Sequence, residues 1–210
     1  SARQQADDLR AHIECAPTAA ENFERSAATR TTNYIIYSLK KGAAMNPTFK
    51  QVTKTRYVQL VSELAQEIFV QHYTKLTPKV AAALADKYQS DILTDDEIHS
   101  GVINYFLIYL GTEPVGYFAL DLGPAGAMCL SRLFLKEKAR GQGIGRSIVA
   151  YAQKLAEGDG RSRLYMRVWA RDLKAEGFAK KCRFRKAETA PVEVLPGTTL
   201  DITTWEKLWR

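Results

Sequence analysis

The sequence predicts a mixed α/β fold of α+β character, a central sheet with antiparallel and parallel pairs flanked by helices. Three observations carry this expectation. The runs VINYFLIYL (102–110) and PVGYFALDL (114–122) are apolar, aromatic and β-branched, and the turn GTEP between them makes an antiparallel hairpin. A third run, AMCLSRLFL (127–135), extends the hairpin into a meander. Beyond it, Ile144, Ile148, Val149, Ala152 and Leu155 recur at helical spacing before a further strand, RLYMRVWA (163–170). A helix that joins two strands of one sheet implies that those strands are parallel.

The remaining elements follow in chain order. Residues 1–44 read as an N-terminal extension, with an acid-containing helical segment and one apolar run, NYIIYSL (33–39). That run is expected to dock as an added strand or to serve a homodimer contact, because left free it would present Ile35, Ile36 and Leu39 to water. KKGAAMNP (40–47) reads as a linker, and residues 45–210 as the main domain, with Met45 a candidate natural start. FKQVTK (49–54) is a short strand. In 56–73, Val58, Val61, Leu64, Ala65, Ile68 and Phe69 mark the apolar face of a helix. TPKVAAALADKYQS places Thr77 as the N-cap and Pro78 at the first position of a second helix. DLKAEGFAKKC (172–182) is a short helix and TLDITTWEKLW (199–209) a final strand.

Composition narrows the function. With 46% hydrophobic and 25% charged residues the chain is globular. No apolar stretch approaches the roughly 18 to 20 residues of a membrane span, and the first residues lack a secretory h-region. Three widely spaced cysteines, Cys15, Cys129 and Cys182, fit neither a disulfide framework nor a metal site, so a reducing cytoplasm and no metal are expected. The net charge of +7 is uneven. Residues 132–186 hold 16 Lys and Arg against 5 Asp and Glu, a net of +11, while residues 45–131 hold 6 against 9, a net of −3. The basic half suits a polyanion. Nucleic acid is not expected, since no helix-turn-helix, zinc-finger or aromatic RNA-binding signature accompanies the charge.

The chemistry centres on KARGQGIGRS (138–147). Glycines at the start of a helix let backbone N–H groups approach a phosphate. A P-loop would need GxxxxGK[ST], but Gly145-Arg146-Ser147 lacks the lysine and the earlier glycine spacing. A dinucleotide fold would need GxGxxG after an early strand, and Gly141, Gly143 and Gly145 are spaced otherwise.

Arg140-Gly141-Gln142-Gly143-Ile144-Gly145 resembles the (Gln/Arg)-x-x-Gly-x-(Gly/Ala) motif of the GNAT superfamily of N-acetyltransferases. The likeness runs from about Phe49 to Trp209, with SRLFL similar to the strand before that loop. It implies an acyl-CoA-binding fold with a splayed parallel strand pair, acetyl-CoA as co-substrate, and a primary amine, small or exposed on a larger molecule, as acceptor. The pyrophosphate would lie on N–H groups from Gly141 to Arg146, with charge from Arg140 and Arg146. Backbone of Leu133, Phe134 and Leu135 would take the pantetheine arm, and the Leu135 N–H would polarise the thioester carbonyl.

The same resemblance locates the usual general acid, a tyrosine, in a segment N-x-x-A-x-x-(F/Y)-Y-x-x-x-G-F. Asp172, Ala175, Phe178 and Phe184 match or approximate it, placing Asp172 and Phe178 beside the cofactor, but Ala179 stands at the tyrosine and Arg183 at the glycine. A rival expectation is therefore an acyl-CoA-binding module with weak or lost catalysis. Candidates for proton transfer are Cys182, His72, Tyr73 and Glu67, the last three on or just beyond the first long helix. Tyr73, Tyr105 and Tyr117 are candidates for the acceptor side, although a core role is open to the two hairpin tyrosines. The acids of the net −3 half are expected to draw a cationic amine.

Overall fold

The computed structural model describes residues 46–72, 76–123 and 126–209. The expectations for residues 1–44, Met45 and the 33–39 run lie outside these residues. Among the described residues one sheet has seven strands in the order β1-β2-β3-β4-β5-β7-β6. They are β1 (Pro47–Gln51), β2 (Ile103–Leu110), β3 (Glu113–Asp121), β4 (Ala127–Leu135), β5 (Arg163–Trp169), β6 (Arg185–Leu195) and β7 (Thr198–Leu208). The helices are α1 (Thr55–His72), α2 (Pro78–Gln89), α3 (Asp91–Ser100), α4 (Ile144–Gly158) and α5 (Leu173–Lys181). No described helix is long and apolar enough to cross a membrane. The predicted mixed sheet is present, with β4 and β5 as its parallel pair.

Each face of the sheet carries its own core. On one face α4 and α5 bury Ile144, Ile148, Ala152 and Ala179 against Phe106, Phe118 and Leu164. On the other, α1 lays Val58, Val61, Leu64, Ala65 and Ile68 over Tyr105, Leu107 and Tyr117. These are five of the six residues whose spacing predicts the helix, and burying each of the larger ones is worth about 1.5–3 kcal/mol. On that second face α2 meets β6 and β7 through Leu84, Tyr88, Val192 and Ile202. Its start is the expected one: Thr77 Oγ1 accepts from Val80 N at 3.3 Å, with Pro78 next in line.

Two elements escaped the sequence reading. The buried face of α3 is polar, Thr94 and Glu97, while Ile92 is 73% exposed, so hydrophobic periodicity points away from the helix. Only its caps speak for it. Ser90 Oγ accepts from Leu93 N at 3.2 Å, and Gly101, at φ 69°, closes it in the left-handed region. Strand β6 is an edge strand, exposed from Arg185 to Pro191, and its charges and proline are edge features that mask a strand pattern.

The polar face of α3 makes a buried ion pair with β4. Arg132 Nη2 lies 3.1 Å from Glu97 Oε1, and Tyr105 donates its hydroxyl to Glu97 Oε2. The Arg132 guanidinium also sits over the Tyr105 ring, 5.4 Å from its centre. Nearby, Tyr117 donates to Gln89 Oε1 at 2.6 Å. Both hairpin tyrosines are fully buried. This corrects the expectation that Tyr105 and Tyr117 line an acceptor site: their rings fill the core under α1 and their hydroxyls are used to satisfy buried polar groups.

Asp121, at the end of β3, is buried, and loss of water pushes its carboxyl up to about 6, only partly offset by the Gly123 N–H and Arg132. Between its ordinary value of 3.8 and about 6 the folded protein holds a proton that the unfolded chain has lost, so stability falls as pH rises through that window. Above it the charged form costs the fold about 3 kcal/mol. Asp121→Asn, which keeps an acceptor for Gly123, should flatten the urea-denaturation midpoint between pH 4 and 6 and raise stability at pH 7 by up to that amount.

Candidate active site

The parallel pairing of β4 with β5 ends early. It joins Ala127, Met128 and Cys129 to Arg163, Leu164 and Tyr165, and both strands then run on without each other. A bulge helps β4 leave: Ala119 faces Arg132 and Leu120 faces Leu130, so Ser131 is extra and bends the strand. The backbone orientation in the opening follows by alternation. Lys136 N donates to Val115 O at 2.8 Å, toward β3, so the N–H groups of Leu135 and Leu133 turn to the other edge, into the gap.

A cleft of about 790 Å³ occupies this gap and continues to the glycine loop. At the loop, Gly141 and Gly143 have φ of 77° and 84°, a conformation that favours glycine, and a Cβ at either would meet nothing within 4 Å. Gly143 is the N-cap of α4. Its carbonyl accepts from Arg146 N at 3.0 Å and Ser147 N at 3.2 Å. Among the described residues no hydrogen bond takes the N–H groups of residues 141 to 145, which gather at the positive end of α4. The Arg146 N–H, expected in that cradle, is instead used inside the helix.

Gly145 has a different reason to be glycine. A Cβ there would stand 2.7 Å from Phe178 Cε2, so its absence lets α4 and α5 close on one another beside the cleft. Ile144 is buried beneath the loop. Arg140 donates from Nε to Leu135 O at 2.9 Å and so ties the loop to the end of β4. Gln142 is turned away, donating to Lys138 O at 2.7 Å, and does not line the cleft.

Of the other expected cofactor residues, Leu133, Phe134, Leu135, Phe178 and Asp172 all line the cleft. Asp172 also works locally, as the N-cap of α5, its Oδ1 accepting from Lys174 N at 3.1 Å and Ala175 N at 3.0 Å. Ala179 departs from expectation. It is fully buried in the core and is not part of the cleft wall, to which α5 contributes Lys174, Ala175, Phe178 and Lys181 and its C-cap adds Cys182. A phenol at 179 would have to enter packed core rather than extend an open surface.

The proton-transfer candidates separate. Cys182 lines the cleft, and burial pushes its thiol above the usual value, so it keeps its proton at neutral pH. Glu67 lies outside the cleft wall, paired with Lys136 Nζ at 3.0 Å. His72 closes α1. Tyr73 falls outside the described residues. Three acids of the net −3 half are engaged elsewhere: Glu97 with Arg132, Glu113 with Lys138, Glu67 with Lys136. Among the described lining residues the charges are cationic apart from Asp172, so the expected acidic approach is not what these residues build.

The segment after α5 holds one strained residue. Arg183 has φ 64°, with Arg183 N bonded to Lys180 O and Phe184 N to Ala179 O, both at 3.0 Å. This is a Schellman closure, whose left-handed position favours glycine. Arg183→Gly should stabilise the fold by about 1 kcal/mol and raise the melting midpoint by roughly 2–4 °C.

Residues 61–184 match the model of the acetyltransferase (GNAT) family. Solved structures repeat the fold. PaiA N-acetyltransferase from Thermoplasma acidophilum, in complex with coenzyme A, superposes with a TM-score of 0.64 at 18% identity, over 77% of this chain and 99% of that one. A probable GNAT-family acetyltransferase from Chromobacterium violaceum gives 0.62 at 14%, over 92% and 97%. YncA from Salmonella typhimurium, with acetyl-CoA, gives 0.57 at 13%, over 77% and 93%. No curated protein matches the sequence. With a splayed strand pair, a glycine loop opening α4 and a family match over more than half its length, the chain belongs to the acetyltransferase (GNAT) family.

Proposed function

We propose that the protein is an acetyl-CoA-dependent N-acetyltransferase that passes the acetyl group directly to a primary amine. The observation that carries this reading is the continuity of one cleft from the N–H groups of residues 141–145 to the unpaired edge of β4. The residues present fit the co-substrate. The positive-φ glycines leave room for a pyrophosphate against the helix end, and Arg146, Lys174 and Lys181 supply cationic walls. The likeness to PaiA and YncA, solved with coenzyme A and acetyl-CoA, supports the same choice.

Acetyl-CoA supplies a thioester carbonyl and a thiolate leaving group. The chain's part is to place and polarise. The Leu133 and Leu135 backbone, facing the gap, would hold the pantetheine amides, and the Leu135 N–H would take the negative charge that grows on the carbonyl oxygen. The acceptor amine, with a pKa near ~10.4 if lysine-like, must lose a proton as the N–C bond forms and the C–S bond breaks. The departing sulfur takes up a proton, from water or a side chain at the splay.

Two measurements test this. Calorimetry should give saturable binding of coenzyme A and acetyl-CoA, and thiol release from acetyl-CoA should accelerate with one or more members of a primary-amine panel. Binding without thiol release across the panel would support the acyl-CoA-binding module instead, and absence of binding would defeat both.

A further inference from the structure

Two aromatic rings flank the gap between β4 and β5, on the face of the sheet away from the glycine loop. The last residues that the parallel strands pair are Cys129 and Tyr165, which share one buried cluster. Phe134 lies five residues beyond Cys129, and Trp169 four beyond Tyr165. The bulge at Ser131 takes up the extra residue of β4, so the two rings stand level across the opening and on one face. Their contacts agree, since both pack against the cluster that α2 makes with β6 and β7. Each is also backed by its neighbouring strand, Phe134 by the Tyr117 ring at 5.5 Å and Trp169 by its pairing with Ile202. Both are half-buried and both line the cleft.

One step deeper, the same face carries Arg132 and Arg167, and both charges are answered within the protein. Arg132 is paired with Glu97, and the Glu188 carboxylate bears on Arg167. Asp172, the acid among the described lining residues, caps α5. The glycine loop opens α4 on the opposite face, so a cofactor laid there reaches the gap from the α4 side. An amine then has to meet the thioester carbonyl from the side left open, and that approach runs between Phe134 and Trp169. A planar apolar group gains there by covering the rings and leaving water. An acid or a second ammonium would give up water beside charges that are already engaged, which is a net cost.

We infer that Phe134 and Trp169 set acceptor specificity, and that the acceptor is a primary amine carried on an aromatic group, without an acid or a second amine beside it. The inference rests on the acetyltransferase reading above and puts ring contact where the sequence led to an expectation of acidic attraction.

The test uses the coenzyme A-saturated protein for binding and acetyl-CoA for rates. The probes are benzylamine and phenethylamine, the alkyl amines ethylamine and butylamine, ethylenediamine, and phenylalanine, which is phenethylamine with a carboxylate added. In calorimetry an aromatic amine should bind roughly 10- to 100-fold more tightly than butylamine, and phenylalanine should lose most of that gain. Trp169→Ala should raise KM for the aromatic amines by about 10-fold while moving that for butylamine far less. Trp169→Phe should restore much of the preference, whereas a merely structural tryptophan would affect all amines alike. Retained coenzyme A affinity reports that the variants are folded, and the wild-type panel decides the matter by itself if they are not. Equal binding of aromatic and alkyl amines, tighter binding of ethylenediamine or phenylalanine, or binding of none of the probes overturns the inference. Thiol release with alkyl amines and no aromatic preference would keep the acetyltransferase reading without it. Ring-selective binding with no thiol release would keep the site and remove the reaction.

Discussion

Gly143→Val should lower coenzyme A affinity by roughly 100-fold or more, the largest functional effect expected of any single change in the loop. Two causes add. Gly143 sits at φ 84°, where a β-branched side chain costs on the order of 1–3 kcal/mol and would pull the loop toward another conformation. The space its Cβ would enter is open, which is where a phosphate must come to meet the N–H groups of residues 141–145. Each hydrogen bond to a charged group is worth about 1.5–3 kcal/mol, so misplacing two of them accounts for the predicted factor. Gly158→Ala is the control: that residue ends α4 away from the cleft, and its Cβ also meets nothing within 4 Å. Calorimetry should show the control binding normally. Unchanged binding by folded Gly143→Val would remove the loop from the site.

Glu97→Gln should be the most damaging substitution for stability, at about 3–5 kcal/mol. The carboxylate of Glu97 and the guanidinium of Arg132 are both almost completely buried, at 2% and 3% side-chain exposure. Taking the negative charge away leaves the arginine charged in the core without its carboxylate, and a buried charge is costly when its partner is removed. For a chain of this size that loss lowers the melting midpoint by roughly 6–20 °C. The double variant Glu97→Met with Arg132→Met should recover much of the loss, because it also removes the desolvated charge. Urea denaturation of the two variants side by side checks the pair. Because Arg132 lies next to the bulge at Ser131 in the cleft wall, loss of the pair should also loosen the splay that the cofactor needs.

The sequence carried the fold wherever side-chain pattern and burial agree. Strands β2, β3 and β4 read correctly because their apolar runs are buried, and α1 because the five apolar residues buried among those described recur at helical spacing. Helix α3 was missed because the partner of its inward face is a charge, so the face is acidic where a pattern search looks for apolar residues. Sequence leaves the hairpin tyrosines open between core and cleft because it distinguishes a ring on a strand from its surroundings only through alternation, and both faces of this sheet are covered.

The glycine loop was legible as local chemistry, since the spacing of Gly141, Gly143 and Gly145 dictates backbone conformations within a few residues of itself. Which glycine serves the ligand and which serves packing depended on a ring some thirty residues later, Phe178 against Gly145, and only the closed fold brings the two together. The departure at Ala179 was likewise visible as a letter, but its burial in the core depends on how α5 lies on the sheet. Local sequence determined the helix caps, the hairpin and the phosphate-ready loop, because those are settled by backbone preferences over a few residues. The tertiary structure decided which charges reach the cleft: side-chain length and net charge by segment cannot tell Glu97, sealed against Arg132, from Arg167, turned into the gap where β4 and β5 part.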